Sequence, residues 1–423
     1  MVRLLNYCLF AATIAPLMAI AQDDAPGRQQ FTAGVELGYL HTSGYDSWTG
    51  GSASMGKLRH DEGDGGITLS RAFFDYTSLL TDTIDAHVAV ELYDDDFGES
   101  ADFTEAYVEW RPLPRSANRY RLKVGAFYPR ISLENTEPGW SSPYTLNSSA
   151  INTWVAEELR TFGAELGVTR RPRSLAGAHQ FGLHVAAFYG SDPAGTLIAW
   201  KGWSLHDRQT RFGDDVPLPT LPQLQPGGLF EGNDPYVEPF VEVDDRPGYY
   251  VSGEWRYTDR VLVRAMHYDN RADPTVVENG QYGWTTIFDH VGAQFELPAD
   301  FGLIAQWMSG STVMGGVING AHVVDVEYES SFLLLTKTFE RHRLSLRYDR
   351  FDVTQNDQTV EDNNPENGRA WTIGYRYHHS DRIGIAAEWL AVRSHRCARG
   401  YAGFDPDVRE EQIQLSLLLR FAN

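Results

Sequence analysis

Two short runs, RYRLKVGAFYPR (Arg119–Arg130) and RTFGAELGVTR (Arg160–Arg170), decide how this chain folds. In the first, Tyr120, Leu122, Val124 and Ala126 share one side, while Arg119, Arg121, Lys123 and Gly125 share the other. In the second, Phe162, Ala164, Leu166 and Val168 oppose Thr161, Glu165 and Thr169. Strict period-two alternation predicts a strand with one apolar and one polar face. Between the runs lie about 28 residues, Ile131 to Glu158, too long for an idle connection in a compact domain.

The same alternation recurs along the chain. Before this pair it runs through FTAGVELGYL, ITLSRAFFDYTSLL, IDAHVAVELYDD and FTEAYVEWRP; after it, from FGLHVAAFYG to the terminal EEQIQLSLLLRF. The sum is sixteen predicted strands. Short connections (Thr81, Leu113–Asn118, Pro172–Ala178, Asp259, Pro298, Arg341, Ser380) alternate with long ones near 50, 97, 140, 220, 275, 316, 360 and 400. An even strand number, with short turns on one rim and long loops on the other, predicts a sixteen-stranded antiparallel transmembrane β-barrel. Its third long connection, 131–158, is expected to fold inward and narrow a water-filled lumen. The segment 191–247 contains PLPTLPQLQPGG, whose prolines cannot sit in central strands. It is expected to be a long external loop with short hairpins of its own.

Composition agrees. No run of about 18 apolar residues follows the first 21 positions, so helical spanning is excluded. A mean hydropathy of -0.37 is compatible with a barrel, because each lipid-facing residue is matched by a lumen-facing polar one. Aromatics make up 13% of the chain. Tyr39, Trp110, Tyr128, Tyr189, Trp255, Tyr257, Trp307, Trp371, Tyr377 and Trp389 near strand ends are expected to form interfacial girdles. The start, MVRLLNYCLFAATIAPLMAIAQDD, has an early cation, an apolar stretch and small residues before Gln22. These mark residues 1–21 as a signal peptide, 22–30 as a periplasmic leader and 31–423 as the barrel. Cleavage would remove Arg3 and move the formal charge from -21 to -22, leaving Cys397 as the single thiol. The acidic balance excludes a nucleic-acid partner, and no cofactor or metal is expected. Asp94-Asp95-Asp96 and Asp244-Asp245 read as solvated acidic loops rather than cation sites.

VGAFYPRISLENTEP (Val124–Pro138), the acidic and aromatic stretch to Asn152-Thr153-Trp154, and the following GAELGV resemble the phosphate-selective porin O and P family of outer-membrane porins. The resemblance implies a trimeric passive channel with the inserted loop at its constriction. Its partners would be outer-membrane lipid, lipopolysaccharide and, during insertion, the barrel-assembly machinery. Two features depart from the family. The basic ladder that draws in anions is replaced by mixed charge, and Ala422-Asn423 follow the terminal aromatic Phe421.

Parity assigns the inward positions. Lining residues are expected to be Glu36, Asp75, Glu91, Glu105, Glu109, Glu165, Glu254, Arg256, Arg264, Arg343, Arg347, Arg376 and Glu388. At the constriction, loop carboxylates Glu134, Glu137, Glu157 and Glu158 are expected to face wall cations Arg121 and Lys123, with Arg71 nearby. Such a crossed field selects permeants by sign and orients dipolar solutes. The expected function is passive diffusion of small hydrophilic solutes and ions, weakly cation-preferring. The rivals are a carbohydrate- or anion-selective porin, an outer-membrane barrel hydrolase, and a secreted β-rich hydrolase or carbohydrate-binding domain. For a hydrolase, Ser309, Ser311 and His322 supply only fragments of a catalytic set.

Overall fold

In the computed structural model, the described residues are 29–61, 63, 65–95, 101–172 and 179–423. The expected signal peptide lies outside them. Sixteen strands close into one antiparallel barrel. They are β1 (Gln29–Ser43), β2 (Gly65–Thr81), β3 (Ile84–Leu92), β4 (Ala101–Trp110), β5 (Asn118–Phe127), β6 (Thr161–Arg170), β7 (His179–Tyr189), β8 (Gly248–Tyr257), β9 (Val261–Asp269), β10 (Thr285–Leu297), β11 (Phe301–Ile318), β12 (Ala321–Phe339), β13 (His342–Gln355), β14 (Glu366–His378), β15 (Ile383–Arg396) and β16 (Asp407–Ala422). Each pairs with its sequence neighbours, and β1 pairs with β16 from Thr32↔Ala422 to Ser43↔Glu411. Residues 29–30, expected in the leader, belong to β1. Asn423 finishes the closure: its amide accepts from Phe31 N (2.9 Å) and donates to Gln29 O (3.3 Å).

The decisive observation is which face is exposed. On β16, Ile413 and Leu415 are each 51% exposed, while Gln412, Gln414 and Ser416 between and beside them are buried. On β6, Phe162 and Leu166 face out and Glu165 is buried. Oily rows therefore look away from the barrel axis, the reverse of a soluble sandwich. Tyr39, Trp110, Tyr189, Trp307 and Trp371 are exposed on this outer surface. Tyr128 is not part of a girdle. It lies inside, stacked on Trp140 with ring centroids 4.4 Å apart.

One connection differs from expectation. Near 316 there is no long loop; β11 and β12 run on for 18 and 19 residues and turn at Asn319-Gly320. Both turn residues have positive φ (54° and 93°), the requirement of a two-residue type I′ hairpin that Asn-Gly meets at low cost. The remaining long connections leave the ends of β1, β3, β5, β7, β9, β13 and β15 at one rim, opposite the start of β1 and the end of β16.

Candidate functional site: the lumen and its inward loops

Three of the long loops fold inside the barrel. The third does so through helix α1 (Ala150–Glu158), whose N-cap Ser149 accepts from Asn152 N (3.3 Å). Capping by a Ser hydroxyl satisfies one of the four orphan donors at a helix start. All nine residues of α1 are buried. Trp154 meets Phe288, Tyr328 and Trp203 edge-on at centroid distances of 5.6, 5.1 and 6.0 Å. The wall opposite is apolar on its inner face as well: Ile304, Met308, Val326, Phe332, Leu334 and Phe351 on β11–β13 are all buried. The expectation that every inward row borders water therefore fails on this side. These stretches are apolar on both faces, with the inner one covered by loops, although Gln306, Arg347 and Asp349 interrupt it.

The 191–247 segment was expected to be external, and half of it is not. Residues 191–206 are buried, including the short helix α2 (Thr196–Trp200), Trp200 and Trp203. The segment is pressed onto the wall at Gly195 (φ 106°), where a Cβ would lie 2.1 Å from Thr312 Oγ1. Only glycine combines that φ with that approach. Further on, Val216–Pro217 pairs with Tyr236–Val237, one of the small hairpins expected of this loop. Asp244 is not merely solvated. Asp192, Glu242 and Asp244 bring ligand oxygens within 4.8 Å of one another where the loop leaves and rejoins the barrel. The first loop also turns inward. Lys57 is ion-paired with Glu366 of β14 and donates to Lys201 O (3.2 Å), and Trp48 lies under the Lys201 ammonium at 4.3 Å.

The wall residues assigned inward by parity lie on the face opposite the exposed oily rows, and the loop-to-wall pairings expected among them are not the ones that form. Glu134 is fully buried and ion-paired with Arg347. It also accepts from Ser149 N (3.2 Å) and Asn152 Nδ2 (2.8 Å). Glu157 is buried against Lys201 and His206 Nε2 (2.7 Å). Against the desolvation of its burial, the Lys201 ammonium and His206 hold the Glu157 carboxyl at about 2. Glu158 accepts from Leu197 N (2.9 Å) and Gly195 N (3.2 Å), and burial pushes its carboxyl up to about 7. Glu134, Glu157 and Glu158 therefore bind loop to wall and loop to loop, with no exposure to water. Residues at the centre of an inward-folded loop meet other loops before they meet the lumen. Glu137 alone of the four is partly exposed, and it pairs with Arg420 at 2.6 Å.

The wall cations are engaged elsewhere. Arg121 bonds Glu165 (2.6 Å) and approaches Glu109 (3.5 Å). Lys123 sits 4.1 Å above the Tyr107 ring, and Arg71 pairs with Glu91 and donates to Gly139 O (2.6 Å). Arg264 and Arg130 converge on Glu254 (2.9 and 3.1 Å), with Arg256 at 3.8 Å.

One limb of the third loop is pinned to β13–β15. Arg343 donates to Pro143 O (2.9 Å), Arg376 to Thr145 O (2.7 Å) and Arg347 to Asn147 O (2.8 Å), while Glu388 accepts from Leu146 N and Asn147 N. On the other side, Asp75 accepts from Gly139 N (3.4 Å) and Glu105 from Tyr128 N (3.1 Å). Glu36 accepts from Gln414 Nε2 (3.3 Å).

Below the loops, toward the short-turn rim, the inward charges are paired with their neighbours: Asp85 and Glu109 share Arg111, and Glu109 is also 3.5 Å from Arg121. Asp75, Asp85, Glu105 and Glu109 lie on β2–β4. Arg343, Arg376 and Arg420 lie on β13, β14 and β16. A cavity of about 50 Å³ between Glu36, Arg71, Ser141, Ser142, Arg376 and Arg420 marks the space beside the third loop. With Glu137 paired to Arg420 and Arg111 to Asp85 and Glu109, acids and cations interdigitate instead of forming the crossed field expected from the sequence. Arg420 and Asp349 were missed although alternation alone would have placed them inward. Lys201, His206 and Lys57 carried no sequence signal, because their segments have no periodicity.

These features define the class: a closed sixteen-stranded outer-membrane-type barrel with a loop-filled polar lumen. By sequence the chain matches no family model and no curated protein. By structure it is similar to the outer-membrane channel DcaP of Acinetobacter baumannii, with a TM-score of 0.56, 11% identity, and coverage of 93% of this chain and 96% of that one. It is also similar to a loop-deletion form of OmpT, an outer-membrane protein of Vibrio cholerae. There the TM-score is 0.50 and the identity 9%, over 93% of this chain and 100% of the other. An anion-selective porin from Comamonas acidovorans aligns at 0.48 and 12% identity, over 93% of this chain and 99% of that one.

Proposed function

We propose that the chain is an outer-membrane porin that passes small hydrophilic solutes and ions by diffusion, without a chemical step. The observation that carries this reading is the inverted amphipathicity of a closed barrel: oily rows outside, charged rows inside. A sheet built this way is stable only with lipid around it and water within. The Val124–Pro138 phrase and the inward third loop support a place near the O and P porins, without their basic ladder. We further propose a homotrimer, export by the N-terminal 21 residues, and a weak cation preference. The cation preference rests on the formal charge of -21. It is modest because charges on outer loops are screened beyond about 8 Å at physiological salt. The barrel-hydrolase rival is not supported by its candidate residues. His322 Nδ1 contacts Gly315 O (2.7 Å) at the hairpin tip, while Ser309 and Ser311 pair with Glu329 and Glu327 across the ladder.

A specific observation favours an anion-selective alternative of the same fold: the inward Arg343 and Arg376 stand directly opposite each other on β13 and β14. Reversal potential in a planar bilayer under a KCl gradient separates the two readings. Discrete conductance steps with a potential of cation-selective sign are expected. An anion-selective sign supports the alternative, and absence of steps contradicts both.

A further inference from the structure

Four arginines stand in a single row across the outside of four adjacent strands. The ladder pairs Arg350 of β13 with Arg369 of β14, Arg369 with Arg393 of β15, and Arg393 with Arg409 of β16. All four side chains are exposed, and their inward neighbours Asp349, Ala370, Val392 and Glu410 are buried. Like charges directly opposite one another across a ladder repel, and here three such contacts follow in succession. Arg409 reaches Glu411 along its own strand. Among the described residues, no ion pair joins Arg350, Arg369 or Arg393 to a carboxylate. The nearby acids lie mostly one rung farther from the short-turn rim, and they have other partners. Asp407 faces His395 (3.1 Å) and Asp352 accepts from Thr354 Oγ1 (3.3 Å). A groove of about 830 Å³ runs along the row.

What lies beneath the row says what fills it. The next outward rung toward the short-turn rim holds Tyr348 and Trp371, with ring centroids 4.7 Å apart. The rung after that is fully apolar: Leu346, Ile373, Trp389 and Ile413. At about 3.3 Å per residue, the arginines stand about 13 Å along the strands from that apolar rung. Arginine on a barrel's lipid face is strongly unfavourable at mid-bilayer but close to neutral at the interface. A row of four above an aromatic pair therefore sits at headgroup depth. Guanidinium forks match phosphate oxygens bidentately, which an ammonium does not.

We infer that this row binds the phosphorylated headgroup of a lipid in the leaflet on the long-loop side, with the acyl chains lying over Tyr348, Trp371 and the apolar rungs below. The inference rests on the outer face being embedded in lipid, as the proposed function requires. The aromatic and apolar rungs contiguous with the arginines select a lipid over free phosphate.

The test uses the full barrel in phosphatidylcholine vesicles with and without lipid A, and in lipid-A-free vesicles with added inorganic phosphate. The parent is expected to unfold at a higher temperature with lipid A and to retain it through purification. The combined variant Arg350→Gln, Arg369→Gln, Arg393→Gln, Arg409→Gln is expected to lose that increment and to retain several-fold less lipid A. The matching four-lysine variant is expected to keep an intermediate increment, as charge without forks predicts. An undiminished increment in the glutamine variant overturns the inference, as does full protection by inorganic phosphate alone. Bilayer conductance is read in parallel. It stays at the parental level in both variants, because the row faces away from the lumen. A parent that binds lipid A yet carries no current overturns the channel reading and leaves the lipid site standing.

Discussion

Replacing residues 193–211 with a short Gly-Ser linker, together with Glu157→Gln, is expected to raise single-channel conductance several-fold while leaving a folded barrel. Much of this segment is buried within the barrel, and its α2 turn closes on β10 and β11 at Thr286 and Thr312. Removing it widens the path for ions at the long-loop end. Barrel closure does not depend on it, since all sixteen ladders pair strand to strand without loop residues. The accompanying Glu157→Gln is needed because Glu157 would otherwise lose Lys201 and His206 and remain as an unpaired buried charge, which is strongly destabilising. Conductance unchanged from the parent would mean that the segment does not occupy the lumen.

Glu134→Ala has the second largest expected effect. Glu134 and Arg347 are both fully buried, and Glu134 also organises the start of α1 through Ser149 N and Asn152. Arg347 keeps Asp349 (2.8 Å), so the loss is that of the buried donors Ser149 N and Asn152 Nδ2 left short of their acceptor, about 1–3 kcal/mol each. The third loop is expected to detach from β13, giving noisy, enlarged current and rapid proteolysis within 131–158. Glu137→Gln is the contrast. Its pair with Arg420 is partly exposed, where an ion pair contributes about 0–1 kcal/mol. That variant should keep quiet channels and shift only the reversal potential. A quiet, protease-resistant Glu134→Ala channel would show that the loop is held by apolar packing alone.

The wall of the barrel was legible because alternation is a local property. Glu165 between Phe162 and Leu166, or Gln414 between Ile413 and Leu415, declares its face without knowledge of any partner. The loops were not legible for the same reason. Trp154 and Trp203 meet across 49 positions of chain, and Lys57 meets Glu366 across more than three hundred, with no repeat linking them. Prolines from 217 onward made the whole 191–247 segment read as external, although the buried part precedes them. Val326, Phe332 and Leu334 sit on inward positions of a strand whose outward positions include Leu333 and Leu335. A continuous apolar run of this kind signals burial on both faces. In a barrel, the second buried face had to be covered by loops. The Asn319-Gly320 turn was present in the sequence as the strongest short hairpin signal, and it yields two strands longer than a membrane requires.

The central claim is the direction of the two faces, and thiol labelling in a Cys397→Ser background reads it residue by residue. Asp75→Cys and Arg256→Cys on the inner wall should react with a membrane-impermeant maleimide in vesicles and escape quenching by lipid-attached spin labels. Leu346→Cys and Ile413→Cys should show the opposite pattern. Inner positions quenched by lipid, with outer ones freely labelled from water, would contradict the account.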